Sequence, residues 1–334
     1  MVHWAKSPRG APRAAIASAS FSLVASLILL PLSVFEHVRS LQPSPLISTY
    51  LLFSALLDIP QARTLFLQRH ADLGNLFLAS LILKAIILVL EQKGKRSLLM
   101  APYKSYPPEA LSGIISRSFF WWLNSLFAKG HRQLLNFGDL YETDPELSST
   151  LLQNKIVETW RRYCHRKGKN SLVLACVVCF KRPLLATVFP RLCVIGFKFC
   201  QPLLIKRAIS LLGEPRNVET KNIGRLLIGA TALIYLGLGI MTARYRHMIY
   251  RTITMVRGGL ICLIFDATLH LDGVTAGESA AVTLMSTDIE RIAQGIELSD
   301  NIWAAPIEIG IAVFLLQRQL GLACLVPAVI AVGV

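Results

Sequence analysis

Residues 226–241, "LLIGATALIYLGLGIM", contain no charged residue, and residues 242–271, "TARYRHMIYRTITMVRGGLICLIFDATLHL", continue them with mixed polar and apolar residues at helical spacing. An uncharged apolar run of this kind is a candidate for crossing the hydrocarbon core of a bilayer, which is about 30 Å thick. We therefore expect one helix that starts near Arg225 and continues well past the membrane. The return span begins near Asn301, so residues 242–300 form a long excursion between two spans.

Other apolar runs repeat this pattern along the chain. Charged residues make up 16% of the sequence, against about a quarter in soluble domains, and the mean hydropathy is +0.52. The sequence predicts an all-α membrane protein with about seven transmembrane helices. The predicted spans are residues 14–35, 46–57, 73–90, 184–205, 226–241, 302–316 and 321–334. The first run is too long for a typical cleaved signal peptide, and further spans follow it.

The net charge of +15 has three interpretations: nucleic-acid binding, polybasic membrane contact and membrane topology. Topology explains it best, because membrane proteins accumulate Lys and Arg in cytoplasmic loops. Much of the excess lies in residues 92–170, which we place in the cytosol, and no nucleic-acid partner is expected. Five basic residues fit this topology poorly: Lys6, Arg9, Arg13, Arg63 and Arg69.

The chain divides into three blocks, 1–91, 92–170 and 171–334. The middle block contains "SRSFFWWLNSLFAKG" (116–130), where four adjacent aromatic residues are flanked by basic ones. Aromatic rings of this kind suit the membrane interface. An interfacial or protein-docked helix and an ordinary buried helix are both open. A turn and a helix through Trp160 follow, and a short apolar segment, 171–180, precedes the next span.

Two short motifs carry local signals. In "LMSTDIERI" (284–292), Thr287 and Glu290 have the spacing of a capping box, in which two side chains satisfy the free amides at a helix start. Cys176 and Cys179 form a CxxC within "LVLACVVCF". Because no second pair with zinc-type spacing follows, we interpret them as small hydrophobes in a membrane-adjacent helix.

Four stretches carry a resemblance to a known family. They are "YLLFSALLDIPQARTLFL" (50–67), "SGIISRSFFWWLNSLFAKGHRQLLNFGDLYETDPELSS" (112–149), "QPLLIKRAISLL" (201–212) and "AAVTLMSTDIERI" (280–292) followed by "WAAPIEIGIAVFLLQRQLGLACLVP" (303–327). The chain resembles the N-terminal part of an ATP-binding-cassette (ABC) exporter of the multidrug-resistance-associated class, subfamily C, most like its fungal members. The resemblance implies a partial N-terminal accessory bundle (1–91), a cytosolic lasso-type linker (92–170) and a partial type-1 exporter transmembrane domain (171–334). The last would hold an elbow helix, four helices and the first coupling helix.

The resemblance also implies roles for individual residues. The coupling helix would touch a nucleotide-binding domain through Leu284, Met285, Ser286, Thr287, Asp288, Glu290 and Arg291. The lasso linker would include Trp121, Trp122, Asp139 and Leu140. In the full-length family, ATP and Mg²⁺ bind to the cassettes. No G-x-x-x-x-G-K-[ST] motif occurs in this sequence, so we expect no cofactor in this chain and no ATP hydrolysis by it alone.

Charged residues inside predicted spans are costly and often functional. Arg191 and Lys198 lie seven residues apart on one helix face. With the resemblance, they are candidates for a substrate path that favours anionic or polar-headed cargo. Snorkelling or a structural ion pair is the open alternative. Glu308 is expected to pair with a basic residue of a neighbouring helix, and Lys84 to snorkel toward the nearer interface.

The expected function is the transmembrane part of an ATP-driven exporter of small organic molecules such as drugs, conjugates or secondary metabolites. It would be multi-pass, in the plasma or vacuolar membrane, and surrounded by lipid. We expect a truncated product, inactive alone, whose nucleotide-binding domains and second transmembrane domain are supplied elsewhere. A regulatory or accessory membrane subunit, a pseudogene-like fragment and an independent seven-span receptor or carrier are the alternatives.

Overall fold

The computed structural model describes residues 13–67, 71–92, 94, 99–100, 103, 106–163, 171–215, 217–270 and 282–321. Within these ranges the secondary structure is helical, without strands, and five helices are long and apolar enough to cross a membrane. The predicted all-α membrane architecture is therefore confirmed. Five of the seven predicted spans lie in these helices. The seventh span, 321–334, lies outside the described residues except for Gly321. Residues 164–170 of the predicted linker also lie outside them.

The chain separates into two compact units, Met1–Asp144 and Pro145–Val334. The first contains three long helices, α1 (Arg13–Arg39), α2 (Pro45–Leu67) and α3 (Ala71–Glu91). Helix α2 holds the predicted span 46–57, but it is not among the five membrane-length apolar helices, because polar residues such as Asp58 and Arg63 lower the hydropathy of its second half.

Helices α2 and α3 pack against each other around an ion pair. Lys84 Nζ lies 2.5 Å from Asp58 Oδ2 and 2.5 Å from Ser54 Oγ. The prediction that Lys84 snorkels is therefore wrong. A carboxylate on the neighbouring helix compensates the ammonium group within the bundle, so the side chain need not extend to the interface.

Short elements complete the first unit: α4 (Pro108–Leu111), α5 (Ile114–Ser118), a 3-10 turn at Trp121–Leu123, α6 (Asn124–Arg132) and a 3-10 turn at Phe137–Asp139. The aromatic stretch is thus not one helix. Phe120 interrupts it with φ 57° and ψ 29°, a left-handed conformation that is unfavourable for a bulky residue.

The start of this segment is held against the end of α3. Ile115 N donates to Gln92 Oε1 (3.3 Å), and Gln92 Nε2 donates to Ser48 Oγ (2.8 Å). Glu91 accepts from the backbone of Ser44 at 2.9 Å. These bonds satisfy polar groups where the long helices end, as buried polar groups require.

The second unit begins with a 3-10 turn at Pro145–Leu147. It continues with α7 (Ser149–Tyr163), α8 (Ser171–Cys179), α9 (Lys181–Leu212), α10 (Val218–Leu269) and α11 (Ile289–Leu320). Helix α10 has 52 residues and at 1.5 Å per residue is about 78 Å long, more than twice the hydrocarbon thickness. The predicted continuous helix beyond the span is confirmed. Helix α9 packs along it, and Gly237 leaves room for the ring of Phe197.

The core of the second unit lies around the distal half of α10. Buried residues of α7, the α8–α9 junction, α10 and the start of α11 meet there: Leu152, Ile156, Phe180, Met255, Val256, Leu260 and Ile289. Cys176 and Cys179 pack against this cluster as apolar side chains. Burial raises the pKa of the Cys176 thiol to about 11 and also raises that of Cys179. Neither thiol is therefore poised as a nucleophile.

Candidate functional site

The coupling segment, defined here as Leu284–Arg291, leads directly into the long helix α11. Residues Leu284–Asp288 form a π-helical turn, and Thr283, Asp288 and Ile289 all have right-handed helical backbone angles. The predicted capping box does not form. Because Asp288 is helical and provides no side-chain cap, no helix starts there that Thr287 could cap. Instead, Ser286 Oγ donates to the carbonyl oxygen of Val282 at 2.8 Å.

One side of the segment packs against the second unit, and the other side is exposed. Ile289 is only 2% exposed and belongs to the core of the second unit. Glu290 forms an ion pair with Arg257 of α10. Burying a side chain the size of Ile289 contributes about 1.5–3 kcal/mol. Packing of Ile289 therefore accounts for most of the free energy that holds the segment, and the ion pair between Glu290 and Arg257 orients it.

The outward-facing side of the segment mixes apolar, hydroxyl and charged groups. Leu284 is 45% exposed, and Ser286 and Thr287 are exposed too. Arg291 is largely exposed and lies 3.8 Å from Asp288 one turn earlier. An exposed ion pair of this kind contributes little to stability. These side chains are thus available for contact with another domain.

A second cluster, the membrane polar cluster, consists of Arg191, Lys198, Tyr245, Asp300, Asn301 and Glu308 on helices α9, α10 and α11. Arg191 is its centre. The side chain is 13% exposed and lies 3.1 Å from Glu308 Oε1, donates to Asn301 Oδ1 at 3.3 Å, and stacks over Tyr245 with 5.5 Å to the ring centroid. The predicted pairing of Glu308 with a basic residue of a neighbouring helix is confirmed.

Lys198 occupies a different environment in the same cluster. Its side chain is 49% exposed, and its Nζ lies 4.0 Å from Glu308 Oε1. Glu308 is thus shared by two cations, and Arg191 holds it more closely. Of the two predicted substrate-path residues, Arg191 is engaged by three neighbours, whereas Lys198 keeps half of its surface accessible.

Asp300 is the buried acidic residue of the cluster on α11. The residue is 6% exposed and accepts from Trp303 Nε1 at 3.2 Å. Its second carboxylate oxygen has no hydrogen-bond partner among the described residues. Sequence reasoning did not include Asp300, Asn301 and Tyr245. For Asn301 the usable signal was its spacing of seven residues from Glu308 on the same helix, which places the two on one helix face.

The predicted linker residues form a local network in the first unit. Lys129 Nζ lies 2.6 Å from Asp139 Oδ1, and Asp139 Oδ2 accepts from the backbone of Asn136 at 3.1 Å. The hydrogen bond from Lys129, followed by that from Asn136, lowers the pKa of Asp139. The ring of Trp122 packs on Tyr141 with centroids 6.2 Å apart.

The other two predicted linker residues are exposed. Trp121 is stacked with Phe119 at 5.4 Å between ring centroids, and Leu140 follows the 3-10 turn at Phe137–Asp139. Trp122 and Asp139 therefore make local side-chain contacts within the first unit, whereas Trp121 and Leu140 are exposed.

Known proteins similar to this chain are fungal transporters. ABC multidrug transporter B of Aspergillus fumigatus is 42% identical over 334 residues, covering 99% of this chain and 23% of the relative. ABC multidrug transporter lscH of Purpureocillium lilacinum is 40% identical, covering 96% and 21%. ABC transporter atnG of Emericella nidulans is 38% identical, covering 100% and 22%. No protein-family model matches the chain.

The similarity spans nearly the whole chain, whereas the chain spans less than a quarter of the length of the curated relatives it matches. Together with the five membrane-length apolar helices, it identifies an integral membrane protein similar to the membrane part of fungal ABC transporters. More than three quarters of the length of each of these relatives therefore lies outside the matched region.

Proposed function

We propose that this chain is the N-terminal transmembrane part of an ATP-driven exporter of subfamily C that moves drugs, conjugates or secondary metabolites. The observation that carries the proposal is the match to multidrug transporters across nearly every residue. The geometry of the second unit supports it. A helix pair, α10 and α11, extends from apolar spans and ends in an exposed segment, Leu284–Arg291, with a buried anchor at Ile289.

In this proposal the coupling segment docks on a nucleotide-binding domain in cis or in trans. ATP and Mg²⁺ would bind in that domain, because residues 1–334 contain no glycine-rich phosphate loop of the G-x-x-x-x-G-K-[ST] type. The segment's contribution is mechanical. Helix α11 joins it to the membrane polar cluster, so movement of the tip is transmitted to Asp300 and Asn301, which precede Pro306 in this helix.

Cargo selection is assigned to the membrane polar cluster. The pairing of Arg191 with Glu308, Asn301 and Tyr245 favours a structural role for it. Lys198 is the more available cation, because it is half exposed and only loosely paired at 4.0 Å. A cation within an apolar span favours anionic or polar-headed cargo, because the negative charge of the cargo compensates the ammonium group where the dielectric constant is low.

A chimera tests the proposal. Residues 1–334 replace the matched region of the Aspergillus fumigatus transporter, and the protein is expressed in yeast that lacks its own drug exporters. We expect ATP-dependent efflux of a fluorescent drug. A chimera with the phosphate-loop lysines of the relative substituted is the matched control and should show none.

A chimera that reaches the membrane and folds, yet shows no efflux above that control, contradicts the proposal and favours an accessory role. Microscopy of a tagged chimera also distinguishes the plasma membrane from the vacuolar membrane. Lys198→Gln in the same chimera should reduce efflux of an anionic conjugate more than that of a neutral drug, and equal losses would refute the cargo assignment.

A further inference from the structure

Helix α11 carries a row of acidic and amide groups on the face toward its neighbours. Glu290 and Glu297 lie seven residues apart, and Asn301 and Glu308 repeat that interval. Each meets a partner on α10 or α9. Glu290 pairs with Arg257, Glu297 accepts from the Tyr250 hydroxyl at 3.3 Å, and the last two contact Arg191.

This row fixes the register of α11 against α10. The partners Arg257 and Tyr250 are also seven residues apart, and they meet Glu290 and Glu297 in the opposite order, as in an antiparallel pair. Sliding one helix by a single turn, about 5.4 Å, would separate both contacts at once. The contacts thus permit one alignment of the two helices and disfavour its neighbours.

The ion pair between Arg257 and Glu290 is the contact of this row that includes a residue of the coupling segment. The side chains of Arg257 and Glu290 are 45% and 51% exposed. A pair this open contributes little to global stability. The neighbouring Ile289 is 2% exposed and provides the apolar attachment. The ion pair is therefore better suited to orienting the exposed turn than to holding the fold together.

We propose that Arg257 is a positioning residue that acts through Glu290 to hold the coupling segment in one orientation against α10. The consequence for transport rests on the proposed function. The orienting role itself does not, because it concerns contacts within this chain.

The test uses the full 334-residue chain in lipid nanodiscs and three variants: Arg257→Glu, Glu290→Lys and the double exchange, which restores an ion pair with reversed polarity. Hydrogen exchange of the backbone amides in the peptide covering residues 284–292 is the readout. Each single exchange should raise the exchange rate about two- to five-fold, the scale of one exposed ion pair. The double exchange should return it close to the original rate.

The melting temperature should change by less than about 2 °C in all three, since the pair contributes little to global stability. Lys221→Glu, an equal change of charge in the first turn of α10, is the matched control and should leave exchange of 284–292 unaltered. Unaltered exchange in Arg257→Glu, or no recovery in the double exchange, overturns the proposal.

The efflux chimera separates this inference from the proposed function. If the original chimera transports, Arg257→Glu should lower the amount of drug exported per ATP hydrolysed, and the double exchange should restore it. Undiminished export per ATP in Arg257→Glu overturns the consequence for transport and leaves the proposed function standing. An inactive original chimera overturns the proposed function, and the exchange measurement then decides the orienting role.

Discussion

Removing the carboxylate at Glu308 should destabilise the second unit more than removing the cation at Arg191. The two groups lie 3.1 Å apart, with 13% of the Arg191 and 29% of the Glu308 side chain exposed. At an effective dielectric constant of about 20, two unit charges at this distance attract by about 5 kcal/mol. The cost of removing both from water offsets much of this, and breaking one side of a buried pair typically costs about 3–5 kcal/mol.

The structure makes the two single changes unequal. With Arg191→Gln, Glu308 still has Lys198 at 4.0 Å, so we expect a loss of about 1–2 kcal/mol. With Glu308→Gln, no other ion pair of Arg191 lies within 4.0 Å among the described residues. Contacts with Asn301 and Tyr245 remain, each worth about 1 kcal/mol. We therefore expect a loss of about 2–3 kcal/mol.

The assay is unfolding of the chain in mixed micelles, followed by tryptophan fluorescence, for both single variants and the double variant Arg191→Gln/Glu308→Gln. The double variant should lose at least about 1 kcal/mol less than the sum of the two single losses, because the Arg191–Glu308 interaction can be lost only once. Additive losses, or a larger loss for Arg191→Gln, would refute the assignment of Arg191 as a structural partner of Glu308.

Three further outcomes follow from individual contacts. Because the folded state lowers the pKa of Asp139, its contribution is complete above the ordinary carboxyl pKa near 4 and is lost as pH falls through the lower folded value. The protection of the amides of residues 136–139, relative to their intrinsic exchange rate at each pH, should fall there, but not in Asp139→Asn. With a pKa of about 11, Cys176 should react with maleimide at pH 7.4 far more slowly in the folded chain than in denaturant, and equal rates would contradict its burial. Gly237→Val should destabilise the α9–α10 pair by about 1–3 kcal/mol, because a side chain there meets the ring of Phe197. Gly239→Val, which has open space around it, is the control and should cost less in the same unfolding assay.

Length and hydropathy were sufficient to predict the long helices. The continuation of α10 through residues 242–269 followed from mixed residues at helical spacing without Pro, and the pair Gly258–Gly259 does not interrupt the helix. The apolar run 46–57 also lies in a helix, but a run that short does not decide whether the helix spans a membrane. The charged residues that follow it bring the hydropathy down.

Side-chain partners were less predictable. Thr287 and Glu290 have capping-box spacing, but the helix continues through them because Ile289 is drawn into the core and Glu290 toward Arg257. Lys84 was expected at an interface, whereas Asp58, 26 positions earlier, meets it across the helix pair. Such pairings depend on which helix faces meet, and hydropathy along one chain does not specify that.

The proposed function requires that Leu284–Arg291 docks on a nucleotide-binding domain. A photo-crosslinking amino acid placed at Thr287 in the efflux chimera tests it directly, with the same group at Ile302, exposed on α11, as the control. We predict a crosslinked peptide from a nucleotide-binding domain for Thr287 and none for Ile302. Crosslinks from Thr287 to lipid alone, or the same products from both positions, would contradict it.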